Sequence, residues 1–332
     1  MKDLSRKKFL RTVGTMVAGG AVAGISGSLM LRKAGTSGLS PAGSASTPGK
    51  EAFPSPYTRV SSFAVREDIK AFGQYDRKLY IAVANAVLVF DYYGKFLHRF
   101  PAGEVIRDLA VGEDGIYLLY PSGVEVYTPK GNLSGQWEAC SELSNYCSMA
   151  LSPDGVFVTD MANKNICKYT NRGVFLKFIS SPDMFIIPSL TFGIAYADGH
   201  IYCSNSGRHR VERYTLDGAY AGAFGRPGGA PGLFAGCCNP VHLATAGGEI
   251  ITSEKGNPRI SCYGSDGTFR GILLSSALLG GGHAAYDVEV CEDRIFVAGK
   301  DRVSVFRYDE RLAQASVCGS CGAVCPLRNG IL

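Results

Sequence analysis

Histidine is scarce in this chain, with five residues in 332. His98, His200 and His209 fall in stretches that read as turns. A site built on several histidines would therefore have to draw on His242 and His283, and it would need help from other residue types. A basic excess is also absent from most of the chain. Residues 1–50 hold eight Lys or Arg and one acid, Asp3, out of 34 basic and 29 acidic residues in all; subtraction leaves 26 basic and 28 acidic residues, a net of −2. Nucleic acid is excluded as the expected partner, because phosphate binding needs a positive surface. A phosphate-cradling glycine loop is missing too: Gly225 to Gly232, "GRPGGAPG", lacks the strand-to-helix setting such a loop requires. No serine nucleophile elbow is present. Helix-forming composition is weak, with 42 glycines and frequent β-branched residues, which points to strands.

The surplus positive charge belongs to a leader, "SRKKFLRTVGTMVAGGAVAGISGSLML". A basic segment precedes a weakly apolar, Gly- and Ala-rich run from Val13 to Leu31. Ser5 to Arg11 resembles the twin-arginine export signal, with Lys7 in place of the second arginine. That resemblance implies export of a folded protein, often with a metal cofactor in place. The expected location is the periplasm, with membrane contact only through an uncleaved signal. "SPAGSAS" (Ser40 to Ser46) supplies small residues for cleavage. The expected organisation is a signal or anchor over 1–33, a linker over 34–56, a folded body over 57–315 and a cysteine-rich tail over 316–332.

The body repeats. A short apolar strand, a break, a second strand ending in an aromatic and a Gly turn recur from Leu79, Ile116, Val156, Ile201, Ile250 and Ile295, at spacings of 37, 40, 45, 49 and 45. Another short strand precedes each: "DLAVGEDG", "SMALSPDG", "GIAYADGH", "HLATAGGE" and "DVEVCEDR", with a blunter "IKAFGQYDRK" before the first. Each unit thus carries about four strands, with DG or GG pairs marking tight hairpins. One such sheet cannot bury both faces; six arranged radially can. The fold class expected is all-β, a six-bladed β-propeller. "YTRVSSFAV" (Tyr57 to Val65) is placed to supply the outer strand of the sixth blade and close the ring.

The stretch Val211 to Gly267 carries a Tyr-x-x-Asp-Gly turn, a Phe-Gly-x-x-Gly loop and Asn-Pro before the next inner strand. In these features the repeat resembles the NHL family of propellers. The resemblance supports the fold; function has to be argued from a site.

Aligning the inner strands puts Asp108, Ser148, Gly193, His242 and Asp287 at one position of the repeat, with Arg107, Cys147, Phe192, Val241 and Tyr286 just before them. Residues at equivalent positions near an axis converge, so Arg107, Asp108, Cys147, His242 and Asp287 are expected at one channel mouth. His283 and the Cys237–Cys238 pair lead toward the same region. A metal-dependent lyase or hydrolase would use His242, His283 and Asp287 as ligands or as general acid and base.

Cysteine is abundant, with eleven in all. Cys167, Cys203, Cys262 and Cys291 sit among apolar strand residues and read as core. Cys140 and Cys147 are placed to pair in an oxidising compartment. The tail carries Cys318-x2-Cys321-x3-Cys325-Pro326, which resembles the end of the bacterial ferredoxin run without its first cysteine. That implies an iron–sulfur cluster, [4Fe–4S] or [3Fe–4S], with zinc as the alternative. Cys237 or Cys238 is the first candidate for a fourth ligand, and Cys147 or His283 the second. The whole layout resembles exported NHL-type companions of iron–sulfur electron-transfer proteins, which implies a redox partner protein. A propeller face that only docks another protein is the remaining alternative.

Overall fold

The computed structural model describes residues 55–315, in which six four-stranded antiparallel sheets are arranged as the blades of a propeller. β1 (Tyr57–Ala64) belongs to the last blade. Blade 1 comprises β2 (Ala71–Tyr75), β3 (Lys78–Ala82), β4 (Ala86–Asp91) and β5 (Phe96–Pro101). Blade 2 comprises β6 (Asp108–Gly112), β7 (Gly115–Tyr120), β8 (Gly123–Tyr127) and β9 (Leu133–Glu138). Blade 3 follows with β10 (Tyr146–Ser152), β11 (Gly155–Asp160), β12 (Asn165–Tyr169) and β13 (Phe175–Ile179). Blade 4 has β14 (Ile194–Ala197), β15 (His200–Asn205), β16 (Arg210–Thr215) and β17 (Tyr220–Phe224). Blade 5 has β18 (His242–Ala246), β19 (Glu249–Glu254), β20 (Arg259–Tyr263) and β21 (Phe269–Leu274). Blade 6 has β22 (Asp287–Cys291), β23 (Arg294–Ala298) and β24 (Arg302–Tyr308).

Strand position in a blade tracks composition. β11 and β12 are buried throughout, as expected for strands covered on both faces, with apolar stretches at Val156 to Val158 and at Ile166 and Cys167. The outer strands β5 and β9 are largely exposed and more polar. The first hairpin of blade 4 turns at Asp198 and Gly199, with φ of 45° and 75°. Two successive positive φ values define the type I′ turn that matches strand twist, and Asp-Gly is a favoured pair for it.

The core lies between blades. Six buried apolar clusters each draw side chains from two neighbouring blades, so each accounts for one of the six interfaces. The turn between the third and fourth strands reinforces this joint. Gly173, with φ of 75°, lies against the Trp137 ring at the end of β9. Gly94, Gly131, Gly218 and Gly267 stand equivalently against Phe63, Phe100, Ile179 and Phe224 of the preceding outer strand. The recurring Gly of the sequence repeat is thus a packing requirement between blades.

β1 pairs antiparallel with β24, from Tyr57 opposite Tyr308 to Ala64 opposite Arg302, with an irregularity between Arg59 and Ser61. The Asp309 amide donates to the Pro56 carbonyl at 2.7 Å, and Val65 to Asp301 at 2.8 Å, extending the pairing at both ends. The ring therefore closes with a strand from the start of the described chain, as the sequence pattern predicts. Cys318, Cys321 and Cys325 lie outside the described residues, as do the leader and most of the linker.

Candidate functional site

Each inner strand begins at the same face of the ring. The crossovers that bring the chain from one blade to the next end there, so the first residues of β6, β10, β18 and β22 meet around the axis. Asp108, Ser148, His242 and Asp287 line two stacked cavities of about 280 and 230 Å³. Arg107, Cys147 and Lys70 line the outer cavity. Gln74, Thr245 and Glu289 line the inner one. The structure thus brings together Arg107, Asp108, Cys147, His242 and Asp287.

The two aspartates are held in the same way. Asp108 accepts from the Met149 amide at 2.7 Å and the Ser148 hydroxyl at 2.6 Å, both on the next blade, and from the Leu109 amide at 2.8 Å. Asp287 accepts from the Phe72 amide at 3.2 Å, again on the next blade, and from the Val288 amide at 2.9 Å. These carboxyls stitch neighbouring inner strands, which is a structural role in its own right. It also fixes them rigidly at the channel wall.

His242 Nδ1 stands 4.0 Å from Asp287 Oδ1, beyond hydrogen-bond range, and 40% of its side chain still meets solvent in the channel. Its ring is otherwise surrounded by protein. Burial lowers its pKa from the usual 6.5, with the Asp108 charge opposing, so the imidazole is neutral at pH 7. Burial pushes Asp287 up to about 7 against the pull of its two backbone hydrogen bonds. It pushes Asp108 up to about 6, with the Asp287 charge adding and the Ser148, Met149 and Leu109 hydrogen bonds opposing. Glu289 lies well above the ordinary carboxylate value, through burial first and then the charges of Asp287 and Asp108. The Asp287 charge raises Asp108, and both charges raise Glu289, so the titrations of the three carboxyls facing the channel depend on one another. Such a set can give and take a proton near neutrality. Above it, the buried Arg107 Nε has no hydrogen-bond partner among the described residues. It offers a donor at the mouth for an anionic or carbonyl group.

His242 Nδ1 and Asp287 Oδ1 could both face one divalent ion. Among the described residues no third His, Cys or carboxylate ligand atom converges on them, because only Cys140, Asp160 and Cys167 meet that closeness. The channel therefore lacks, among the described residues, the three converging ligands that a divalent ion needs.

The alignment of one position per repeat missed Glu289. It stands two residues beyond Asp287 on β22, and strand alternation places both on the channel face. Lys70 and Gln74 were missed because blade 1 has Ala71, not a polar residue, at the repeat-equivalent position.

His283 does not line the channel. It is exposed on the crossover before β22, with Nδ1 near Gly256 of the β19–β20 turn. Cys237 and Cys238 also stand apart from the cavities, on the long crossover from β17 to β18. Their Sγ atoms are 3.4 Å apart, with Cys237 exposed and Cys238 buried. Burial raises the Cys238 thiol, but hydrogen bonds from Lys255, Cys237 and Ser189 and the Lys255 charge outweigh it, for a net lowering. This crossover is pinned from below. Arg259 on β20 pairs with Glu254 at 2.5 Å and donates to the Gly229 carbonyl at 3.0 Å and to that of Leu233. Asn239 is buried, donating to the Ala235 and Lys255 carbonyls and accepting from the Lys255 amide.

The expected Cys140–Cys147 pair is corrected. Cys147 packs between blades 3 and 4, where burial pushes its thiol up to about 11. Cys140 packs between blades 2 and 3, and its Sγ lies 3.3 Å from that of Cys167. Cys167, Cys203, Cys262 and Cys291 are all buried strand residues, as expected of core.

Solved structures share this architecture. A catalytically inactive variant of virginiamycin B lyase from Staphylococcus aureus with quinupristin is 14% identical, with a TM-score of 0.54 over 76% of this chain and 99% of that one. A streptogramin B lyase structure is 15% identical, with a TM-score of 0.56 over 76% of this chain and 98% of that one. A gluconolactonase from Xanthomonas campestris is 14% identical, with a TM-score of 0.53 over 74% of this chain and 87% of that one. At such identity the likeness establishes the six-bladed propeller and leaves the chemistry to the site. No family model and no curated protein sequence matches the chain.

Proposed function

We propose that this propeller is an enzyme, a lyase or hydrolase that works by acid–base catalysis in the central channel. The observation that carries this reading is the convergence of a neutral imidazole, His242, with two carboxyls, Asp108 and Asp287, whose pKa values are pushed to about 6 and 7. A group with a pKa near the working pH is the most effective proton carrier. His242 acts as the base and Asp287 as the proton donor, while Arg107 orients a carbonyl or anionic group at the mouth. Lyases and a lactonase occur among the proteins with this fold, so cyclic esters are the first substrates to try. The experiment is turnover of quinupristin and a panel of lactones by the full chain, with His242→Ala and Asp287→Asn beside it. Each variant is expected to lose about 10²–10⁴-fold in kcat/KM. Turnover unchanged in both variants would remove the channel as the active centre.

A second reading rests on the crossover thiols. Cys238 is lowered in pKa and adjoins the exposed Cys237, which suits a soft-metal ligand. In this reading Cys318, Cys321 and Cys325 with Cys237 or Cys238 hold an iron–sulfur cluster that would supply one-electron transfer to a redox partner in the periplasm, or hold zinc instead. Iron, zinc and acid-labile sulfide in anaerobically purified full chain decide it. Iron with sulfide that falls in Cys238→Ser supports a cluster, zinc alone supports the alternative, and neither metal contradicts both.

A further inference from the structure

Outside the channel and the crossover thiols, a buried cluster joins blades 2 and 3. Cys140 lies just after β9, where the chain crosses from blade 2 to blade 3, and Cys167 lies in the middle of β12. Their sulfur atoms are 3.3 Å apart, and both side chains are buried. That is shorter than the roughly 3.5–4.0 Å optimum for a pair of carbon atoms, although sulfur is the larger atom. The two residues stand 27 apart in sequence.

Asp160 is the third group within ligand distance, and its bonding decides what the cluster can be. Its Oδ1 accepts from the amides of Asn145 at 3.0 Å, Ala162 at 3.1 Å and Asn163 at 3.3 Å. Its Oδ2 accepts from Asn163 Nδ2 at 2.8 Å. The carboxylate is committed to holding the turn after β11 and the end of the crossover, so ligating a metal would cost it those bonds. The two sulfurs are the reactive pair that remains. Cys140 is also set up to ionise. Hydrogen bonding from Cys167 outweighs burial, and Tyr146, Ser144 and Tyr169 add to it, which lowers the Cys140 thiol while the Cys167 thiol is raised. One thiolate facing one thiol is the arrangement that attacks and then resolves a mixed disulfide.

We propose that Cys140 and Cys167 form a disulfide that locks the joint between blades 2 and 3. The electron acceptor is a low-molecular-weight disulfide, RSSR. The Cys140 thiolate attacks one sulfur of RSSR and releases RS⁻. Cys167, giving up its proton, then attacks the Cys140 sulfur of the mixed disulfide and releases the second RS⁻. Overall two protein thiols and RSSR become one protein disulfide and two RSH, with two electrons passed to the acceptor. The sulfurs must close from 3.3 Å to about 2.05 Å. That shift has to come from the crossover side, where Glu142 and Leu143 after Cys140 are exposed, because Cys167 lies in the middle of β12.

The test uses the full chain, incubated with oxidised glutathione or with dithiothreitol, then alkylated in denaturant and digested without reduction. The expected product of oxidation is a Cys140–Cys167 cross-linked peptide pair, two hydrogen masses lighter than the free peptides and absent after dithiothreitol. The oxidised protein should melt about 5 °C or more above the reduced protein. Cys147→Ser should keep the cross-link, and Cys140→Ser should lose both it and its share of the redox-dependent Tm shift. Should Cys140→Ser fail to fold, the wild-type peptide map alone decides. Recovery of Cys140 and Cys167 as alkylated thiols after oxidation would overturn the proposal. So would a cross-link from Cys140 to another cysteine, or stoichiometric zinc protecting both thiols from alkylation.

Discussion

Asp287 illustrates how a residue can serve fold and chemistry at once. Its carboxyl bonds the Phe72 amide of the next blade, yet its burial makes the ionised form costly. Its folded pKa, about 7, lies above the ordinary 3.8, so the unfolded chain ionises first. Its contribution to stability is fully present below pH about 3.8, erodes as pH rises, and is gone above pH about 7. Asp287→Asn should therefore stabilise the protein at pH 8, by at most about 4 kcal/mol, and much less at pH 4. Melting curves of the two proteins across that range check this, and a difference independent of pH would contradict it. Asp108, His242 and Asp287 were legible in the sequence because the repeat supplied its own alignment. Glu289 was not, since one position per blade cannot display both residues of a strand's channel face. The Cys140–Cys167 contact was also hidden. It depends on how the crossover from blade 2 lies over β12, and nothing local in the sequence expresses that.

At the scale of elements, two features carry the architecture. Gly173 has positive φ and faces the Trp137 indole, so Gly173→Ala meets both backbone strain and overlap. A loss of about 1–3 kcal/mol is expected, read by denaturant unfolding with Trp137 fluorescence as a local reporter. The crossover bearing Cys237 and Cys238 depends on the buried Arg259–Glu254 pair. Arg259→Ala leaves Glu254 buried without its cation and should cost about 3–5 kcal/mol, measured by the same unfolding curves. The sequence showed that Cys237–Cys238 sat in a long loop. It did not show that the loop is pinned away from the channel, because its anchor comes from β20 and is separated by two strands.

The whole molecule is a ring, and its stability depends on closure. Short strands in regular units with Gly turns made six blades legible from sequence, because each blade must bury both faces against its neighbours. Closure was legible too, since Tyr57 to Val65 had strand character and the sixth unit lacked an outer strand. Removing residues 1–64 takes β1 from β24 and should expose the blade 1 and blade 6 clusters, giving a protein that unfolds non-cooperatively or collects in aggregates. Circular dichroism during thermal unfolding would show a retained sharp transition if β1 were dispensable.

The ring also gathers residues far apart in sequence around one channel, and proton sharing among them is what the proposed acid–base chemistry requires. Site-resolved carboxyl carbon NMR of the full chain, titrated from pH 3 to 9, tests it most directly. The proton-sharing channel predicts that Asp108 and Asp287 titrate near 6 and 7, with their curves coupled so that each carboxyl carbon responds at both midpoints. Two independent midpoints near the ordinary value of 3.8 would contradict it. The aspartates would then be stitches between blades and nothing more.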